Sequence, residues 1–161
     1  TIGSFQGGVR GNIIPDQVEM LGTIRTFDAG VRESLHAKLR RTVKLIADAS
    51  GATTKVTITP YSPVTGNDPE LLALMMPTLK KAAGEKQVVQ HPLITGAEDF
   101  AYFQEKIPGL YLMLGVRPEG VAAYEAPANH SPFFDANEDA LIVGVRMMVG
   151  LALDYASVTS Q

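Results

Sequence analysis

The first fifty residues show two patterns of apolar and polar positions, one typical of strands and one typical of a helix. Residues 17 to 27 (QVEMLGTIRTF) alternate as a half-buried strand does, with Val18, Met20 and Ile24 on one face. Glycine and proline residues separate this stretch from a first strand predicted over residues 1 to 6. The simplest interpretation is that the two strands form an antiparallel pair.

A helical period replaces the alternation after Asp28. Apolar residues recur at three- and four-residue spacing from 29 to 49, so we predict a helix there, capped by Asp28 and ended by Gly51. We interpret its other face as solvated, because it carries His36 and a run of charged residues: Arg32, Glu33, Lys38, Arg40, Arg41 and Lys44. The β-branched residues of 54 to 61 (TKVTITPY) then predict a third strand.

The second half of the chain is predicted to contain three helices with short strands between them. Residues 67 to 84 favour a helix capped by Asp68, with a proline at its first position, kinked at Pro77 and ended by Gly84. The other predicted elements are short strands at 87 to 90 and 110 to 115, a short helix at 98 to 106, a loop at 116 to 132 and a final helix at 137 to 156.

The order of these elements predicts an α/β (α+β) protein of two domains. Strand, strand, helix, strand is the order of a ferredoxin-like βαββαβ unit without its first strand and first helix. Proline and glycine in residues 62 to 68 (SPVTGND) mark a boundary, which gives domains of residues 1 to 65 and 66 to 161. Because Thr1 stands inside a predicted strand and is not an initiator Met, we expect the chain to be part of a longer protein.

Composition narrows the classes of function. Apolar residues make up 45% of the chain and charged residues 19%, which is typical of a folded globular protein. A net charge of −3 without a basic stripe argues against nucleic acid or an anionic membrane as partner, and we expect no apolar run long enough to span a bilayer. Because there is no cysteine, any metal must be held by nitrogen and oxygen ligands. Composition leaves the compartment open, and a cytoplasmic location is our expectation.

His130, in the run APANHSPFFDANEDAL, is the first candidate for chemistry. A solvated or core-bonded histidine is the commoner case, but an imidazole in a loop before a helix is also a usual way to present a metal ligand. Asp135, Glu138 or Asp139 could orient its second ring nitrogen, although Glu138 and Asp139 could equally favour the first turn of the final helix. A serine hydrolase triad with Ser131 is excluded, because adjacent residues do not reach triad geometry and no GxSxG motif is present.

Other polar residues give weaker signals. Glu98 and Asp99, in TGAEDFAYF, are adjacent at a predicted helix start, where capping is a simpler interpretation than a general acid and base pair. Arg25 has the opposite strand parity to Met20, which favours a solvated position. An arginine there can also hold a carboxylate bidentately.

Four segments taken together resemble consecutive motifs of the two-metal aminoacylase, hippurate hydrolase and carboxypeptidase family: GGVRGNIIPDQVEMLGTIRTFD, TGAEDFAYF, PGLYLMLG and NHSPFFDANEDAL. The branch that cleaves N-acyl amino acids is the most similar, and the segments span nearly the whole chain. The resemblance implies an α/β zinc-peptidase-like catalytic domain with an inserted ferredoxin-like lid that also mediates dimerisation. Residues 1 to 65 would be the latter part of the lid/dimerisation domain, and residues 66 to 161 the C-terminal part of the catalytic domain.

The resemblance also implies roles for individual residues. His130, in NHSPFF, matches the family's last metal ligand. Asn12, in NIIPD, and Arg25, in GTIRTF, match lid positions associated with substrate, the arginine pairing with the substrate carboxylate. Gly96, in TGAEDF, lies in a segment that lines the cleft. The implied cofactors are two divalent metal ions, zinc first and manganese as the alternative; the implied partners are a small N-acyl amino acid or peptide substrate and a second copy in a homodimer formed through the lid.

The family's other metal ligands, its general-base glutamate and a lid histidine fall before residue 1, and no residue here replaces them. A catalytic metal site needs about three protein ligands. We therefore expect these 161 residues to bind no metal stably and to be inactive alone, while the parent chain is a metal-dependent amidohydrolase or peptidase. Arg10 stands where the family usually has a small residue. The alternative, from another class, is a non-catalytic dimerisation or binding module.

Overall fold

The computed structural model describes residues 1–60 and 62–159, and these form a mixed α/β structure, as predicted. Tyr61, the last residue of the third predicted strand, lies outside the described residues. The assigned elements are β1 (Ile2–Gly7), β2 (Val18–Gly22), α1 (Ala29–Ala49), α2 (Pro69–Ala83), α3 (Phe100–Gln104) and α4 (Asp139–Thr159).

The chain divides into two compact units. Unit 1 comprises Thr1–Val64 and Ile94–Ala101, and unit 2 comprises Thr65–Leu93 and Tyr102–Gln161. The segment Ile94–Ala101 thus belongs to the same unit as the two strands and α1, although the residues on either side of it belong to unit 2. The order of residues along the chain does not show that this segment belongs to unit 1.

In unit 1, β1 and β2 form an antiparallel pair, which confirms the predicted pairing. Phe5 lies opposite Met20, and the register shifts between Ile2 and Ser4. Glycine is required at Gly22, where a Cβ would lie 2.2 Å from the carbonyl oxygen of Thr1. The predicted half-burial of β2 is wrong, since Met20 is 51% exposed. Burial of one strand face needs a second layer, and no described helix packs on this pair.

Helix α1 has the bounds predicted for it. The Asp28 Oδ1 atom accepts a hydrogen bond from the backbone N–H of Val31 at 2.7 Å, and Gly51 follows the helix end with a φ of +65°. His36 does not lie on a solvated face, because its side chain is only 17% exposed and its Nδ1 is 3.9 Å from Glu33 Oε1. At 100° per residue, His36 shares the more buried face of α1 with Ala47.

The third predicted strand and the two short ones are not strands in the structure. Residues 54 to 60 have no ladder partner, and their backbone is held at Val56, whose carbonyl accepts a hydrogen bond from Arg40 Nη1 at 2.8 Å. Residues 85 to 87 form a turn, and residues 110 to 115 form neither a helix nor a strand. β-branched residues favour a strand, but a strand needs a neighbouring edge, and no described segment supplies one. The predicted order β, β, α, β is therefore β, β, α in the described residues.

In unit 2, α2 and α4 pack against each other. Asp68 caps α2 by accepting from the backbone N–H of Leu71 at 2.8 Å, and Gly84 ends it, as predicted. Thr78 is 7% exposed, and its hydroxyl donates to Asp154 Oδ2 of α4 at 2.5 Å. This hydrogen bond and the apolar contacts around it join the two helices.

Helix α4 is apolar around most of its circumference. Residues at helical spacing are half-buried, among them Val143, Gly144 and Met147, whereas Leu141 and Val145 on the other side are more than half exposed. The helix is long and apolar enough to cross a membrane by length and composition alone, so the expectation that no run reaches that length is wrong. A core helix of a globular protein passes the same test. A helix that is apolar all round is typically covered on more than one side.

Candidate functional site

His130 lies in a tight turn of unit 2. The backbone N–H of Ser131 donates to the carbonyl of Ala128 at 2.8 Å, and the Ser131 hydroxyl accepts from the N–H of Phe133 at 3.1 Å. These bonds fix the backbone on both sides of His130 while the residue itself is exposed. The hydroxyl of Ser131 is thereby a turn-stabilising group, which agrees with the exclusion of a catalytic triad.

The loop that carries His130 is closed at its base. The backbone N–H of Asn137 donates to the carbonyl of Val116 at 2.7 Å, so the two ends of residues 117 to 136 meet. The Asn137 side chain then accepts from the N–H of Asp139 at 3.0 Å at the first residue of α4. The loop therefore has close ends, and α4 begins two residues after its closing residue, Asn137.

Arg25 and the segment that contains Gly96 come together in unit 1. Arg25 Nη1 donates a hydrogen bond to the backbone carbonyl of Thr95, 70 residues away in sequence. The sequence predicted that Arg25 lies on a solvated sheet face or binds a substrate carboxylate. The residue is exposed, but it lies three residues after the end of β2, so the predicted sheet face is wrong. A Cβ built on Gly96 would meet only Ile94 Cδ1 at 4.0 Å, so sterics there do not require glycine.

An open cavity of about 750 Å³ lies beside Arg25 in the same unit. Lys38 of α1 is a second cation on its wall, a residue that sequence reasoning assigned only to a solvated helix face. Lys38 lies between Leu35 and Leu39 of the apolar stripe in the sequence, and this position could have predicted that Lys38 faces the same cavity. The lining includes Thr23, Ile24, Arg25, Lys38, Leu39 and Thr95.

Asn12 and the Glu98–Asp99 pair are less constrained. Asn12 is exposed in a turn where the N–H of Ile13 donates to the carbonyl of Arg10 at 3.3 Å. Among the described residues, no hydrogen bond joins Asn12 to Arg25 or to the segment after residue 94. Glu98 and Asp99 are exposed just before α3, and neither carboxylate forms an ion pair in the described part of the chain.

Residues 1–60 and 62–159 do not supply a complete set of metal ligands. No three His, Asp or Glu side chains come together there as a metal site. His130 supplies one exposed imidazole, whereas a catalytic metal needs about three protein ligands. The described residues therefore fit a single ligand of a metal centre and do not fit a complete one.

Comparison with known proteins gives consistent matches over almost the whole chain. The family described as Peptidase family M20/M25/M40 matches residues 5–154. Thermostable carboxypeptidase 2 of Saccharolobus solfataricus is 36% identical over 158 residues, which are 98% of this chain and 39% of that protein. N-acetylcysteine deacetylase of Bacillus subtilis is 34% identical over 153 residues, 95% of this chain and 38% of the relative.

A solved structure agrees with these matches. The YXEP protein of Bacillus subtilis, a dinuclear metal binding peptidase from the M20 family, superposes with a TM-score of 0.78 at 34% identity, over 94% of this chain and 40% of that one. This chain thus spans about two fifths of the length of its relatives. The resemblance drawn from the four sequence motifs is confirmed, and the chain belongs to the M20/M25/M40 peptidase family.

Proposed function

We propose that the complete protein is a metal-dependent hydrolase that cleaves the amide bond of N-acyl amino acids or small peptides. The observation that carries this proposal is the family match over residues 5–154, which includes the His130 motif and the Arg25 motif. Hydrolysis of amide-linked acyl or peptidyl groups is common to the named functions of the carboxypeptidase and deacetylase relatives. Two divalent metal ions, zinc first and manganese as the alternative, would supply an activated water and polarise the scissile carbonyl.

His130 is proposed as one metal ligand. Its imidazole is exposed at the centre of a hydrogen-bonded turn, so the ring is presented while the backbone is held. Neutral imidazole nitrogen suits zinc, whereas manganese favours oxygen ligands, which agrees with zinc as the first choice of metal. The remaining ligands and the general-base glutamate are proposed to come from a part of the protein that precedes residue 1, so the 161 residues alone are proposed to be inactive.

Arg25 is proposed to anchor the substrate carboxylate. A guanidinium has five N–H donors, and the Thr95 carbonyl takes one of them, which leaves a fork for a carboxylate. The bond to Thr95 also fixes the direction of the side chain. Asn12 is proposed to donate to the substrate from its loop, and Gly96 is proposed to line the substrate site next to Thr95.

Unit 1 is proposed to belong to a ferredoxin-like lid through which two copies form a homodimer. The exposed outer edges of β1 and β2 support this proposal, because unpaired strand edges favour pairing with further strands. Residues 66 to 161 are proposed as the C-terminal part of the catalytic domain. Light scattering of the complete protein tests the homodimer: a monomer at micromolar concentration would contradict it.

Metal analysis and an activity assay on the complete protein test the proposed hydrolase. We expect His130→Ala to lose both bound metal and the hydrolysis of N-acetyl amino acids in the presence of zinc or manganese. His91→Ala is the matched control, because His91 is also exposed and its Nδ1 lies 2.7 Å from the carbonyl of the adjacent Pro92. Full metal content in His130→Ala would remove His130 from the metal centre, and a complete protein without any amide hydrolysis would contradict the hydrolase itself.

A further inference from the structure

Asn67, just before α2, pairs with the backbone of Tyr111 through both ends of its side-chain amide. Its Oδ1 accepts from the Tyr111 N–H at 2.6 Å, and its Nδ2 donates to the Tyr111 carbonyl at 3.1 Å. Two bonds exchanged with one residue are the pattern of a hydrogen-bonded pair in an antiparallel ladder. The half-buried Asn67 side chain therefore takes the place of a strand neighbour at Tyr111.

Further hydrogen bonds hold residues 109 to 111, the short segment that contains Tyr111. The carbonyl of Gly109 accepts from the backbone N–H of Asp68 and from Gln104 Nε2, both at 3.2 Å. Gln104 Oε1 in turn accepts from the N–H of Gly66 at 3.2 Å. Residues 109 to 111 are thus tied to the start of α2 by the side-chain amides of Asn67 and Gln104 and by one backbone hydrogen bond, and not by a strand.

The tied segment leads directly into the loop that carries His130. Burial alternates along residues 112 to 116, and Leu114 lies so close to α4 that a Cβ on Gly144 would be 3.0 Å from its Cδ2. The segment ends at Val116, whose carbonyl closes the loop by accepting from Asn137. The position of the loop therefore depends on a segment whose backbone pairing comes from Asn67.

We propose that Asn67 is a positioning residue for His130. Its side chain fixes Tyr111, residues 112 to 115 carry that constraint to Val116, and the hydrogen bond between Val116 and Asn137 sets the base of the loop. The role given to His130 rests on the proposed function. The effect of Asn67 on the order of the loop rests only on the contacts within unit 2.

Asn67→Ala in the complete protein removes both bonds to Tyr111. We expect amide hydrogen exchange under native conditions to quicken at Tyr111, Ser131 and Asn137. We also expect the dissociation constant for zinc, measured by competition with a chelator, to rise roughly ten-fold. This is the lower end of the loss in metal affinity that follows when residues supporting a metal ligand are replaced. Should Asn67→Ala fail to fold, Gln104→Met is the milder variant, because it removes only the bridge between Gly66 and Gly109, and a smaller increase in exchange at the same amides is expected.

Thr78→Val is the control for a general loss of stability. It removes the hydrogen bond between α2 and α4 but touches neither residues 109 to 111 nor the loop. Its melting temperature should fall while its zinc dissociation constant stays within two-fold of wild type.

Two results would overturn the inference: unchanged exchange and zinc affinity in Asn67→Ala, or equal weakening of zinc binding in Thr78→Val. Retention of metal by His130→Ala is a separate result. It would refute the ligand role and with it the positioning of a metal ligand, whereas faster exchange in Asn67→Ala would still show that Asn67 orders the loop.

Discussion

Replacement of Arg25 by alanine in the complete protein tests the substrate-binding proposal at a single side chain. The change removes one positive charge and one hydrogen bond to the Thr95 carbonyl. Because Arg25 is exposed, little apolar packing is lost with it. The main expected consequence is the loss of the donors that would face the substrate carboxylate.

The size of the effect follows from the kind of bond and its exposure. Hydrogen bonds to charged groups contribute about 1.5–3 kcal/mol, and an exposed site favours the lower part of that range. A loss of about 1.5–2.5 kcal/mol corresponds to a rise in KM of about 10- to 70-fold. The carboxylate is equally charged in the ground state and the transition state, so kcat should change little.

Arg40→Ala is a closely matched control. Arg40 is also an exposed arginine of unit 1 whose Nη1 donates to a backbone carbonyl, that of Val56 at 2.8 Å. Steady-state kinetics with an N-acetyl amino acid should show KM within two-fold of wild type for this variant, and an intermediate KM for Arg25→Lys, whose ammonium lacks the planar fork. A KM for Arg25→Ala that rises less than about three-fold, or an equal rise for Arg40→Ala, would refute the reasoning.

Three further predictions concern stability, each measured by chemical denaturation of the complete protein. Asp28→Ala removes the bond from the Val31 N–H and should lower the free energy of unfolding by about 1 kcal/mol; no change would mean that the cap contributes nothing. Thr78→Val should cost about 1–1.5 kcal/mol, because it deletes a hydrogen bond at a position that is 7% exposed, and an unchanged midpoint would contradict this. Gly150→Ala should destabilise the protein, since its Cβ would lie 3.0 Å from Thr78 Cγ2, a methyl held in place by the hydroxyl bond to Asp154. In a Thr78→Ser background, which lacks that methyl, the same change should stabilise by up to about 1 kcal/mol, whereas equal effects in both backgrounds would argue against the contact.

The helix ends show which parts of the fold were predictable. The start of α1 at Asp28, its end before Gly51, and the equivalent signals at Asp68 and Gly84 were all correct. Each depends on hydrogen bonds or backbone angles within a few residues, which local sequence determines. The pattern of α4 likewise gave its position to within three residues at either end.

The strands show the opposite case. Residues 54 to 60 and 110 to 115 have suitable composition, yet neither forms a ladder in the described residues. A strand depends on a second edge, which composition does not supply. At Tyr111 the pairing comes from the Asn67 side chain, 44 residues earlier, and no periodicity in the sequence indicated that substitution.

The sequence by itself determined the family and the ends of α1 and α2, and it supplied the candidate residues His130, Arg25, Asn12 and Gly96, because motifs and caps are encoded in short stretches. Tertiary structure alone decided that Arg25 meets the Thr95 carbonyl and that amide side chains tie the segment leading to the loop of His130. These contacts join residues 44 to 70 positions apart, and their formation depends on how the elements of each unit pack. Patterns within a short stretch of sequence carry no information about contacts between residues so far apart, so only the folded chain shows these contacts.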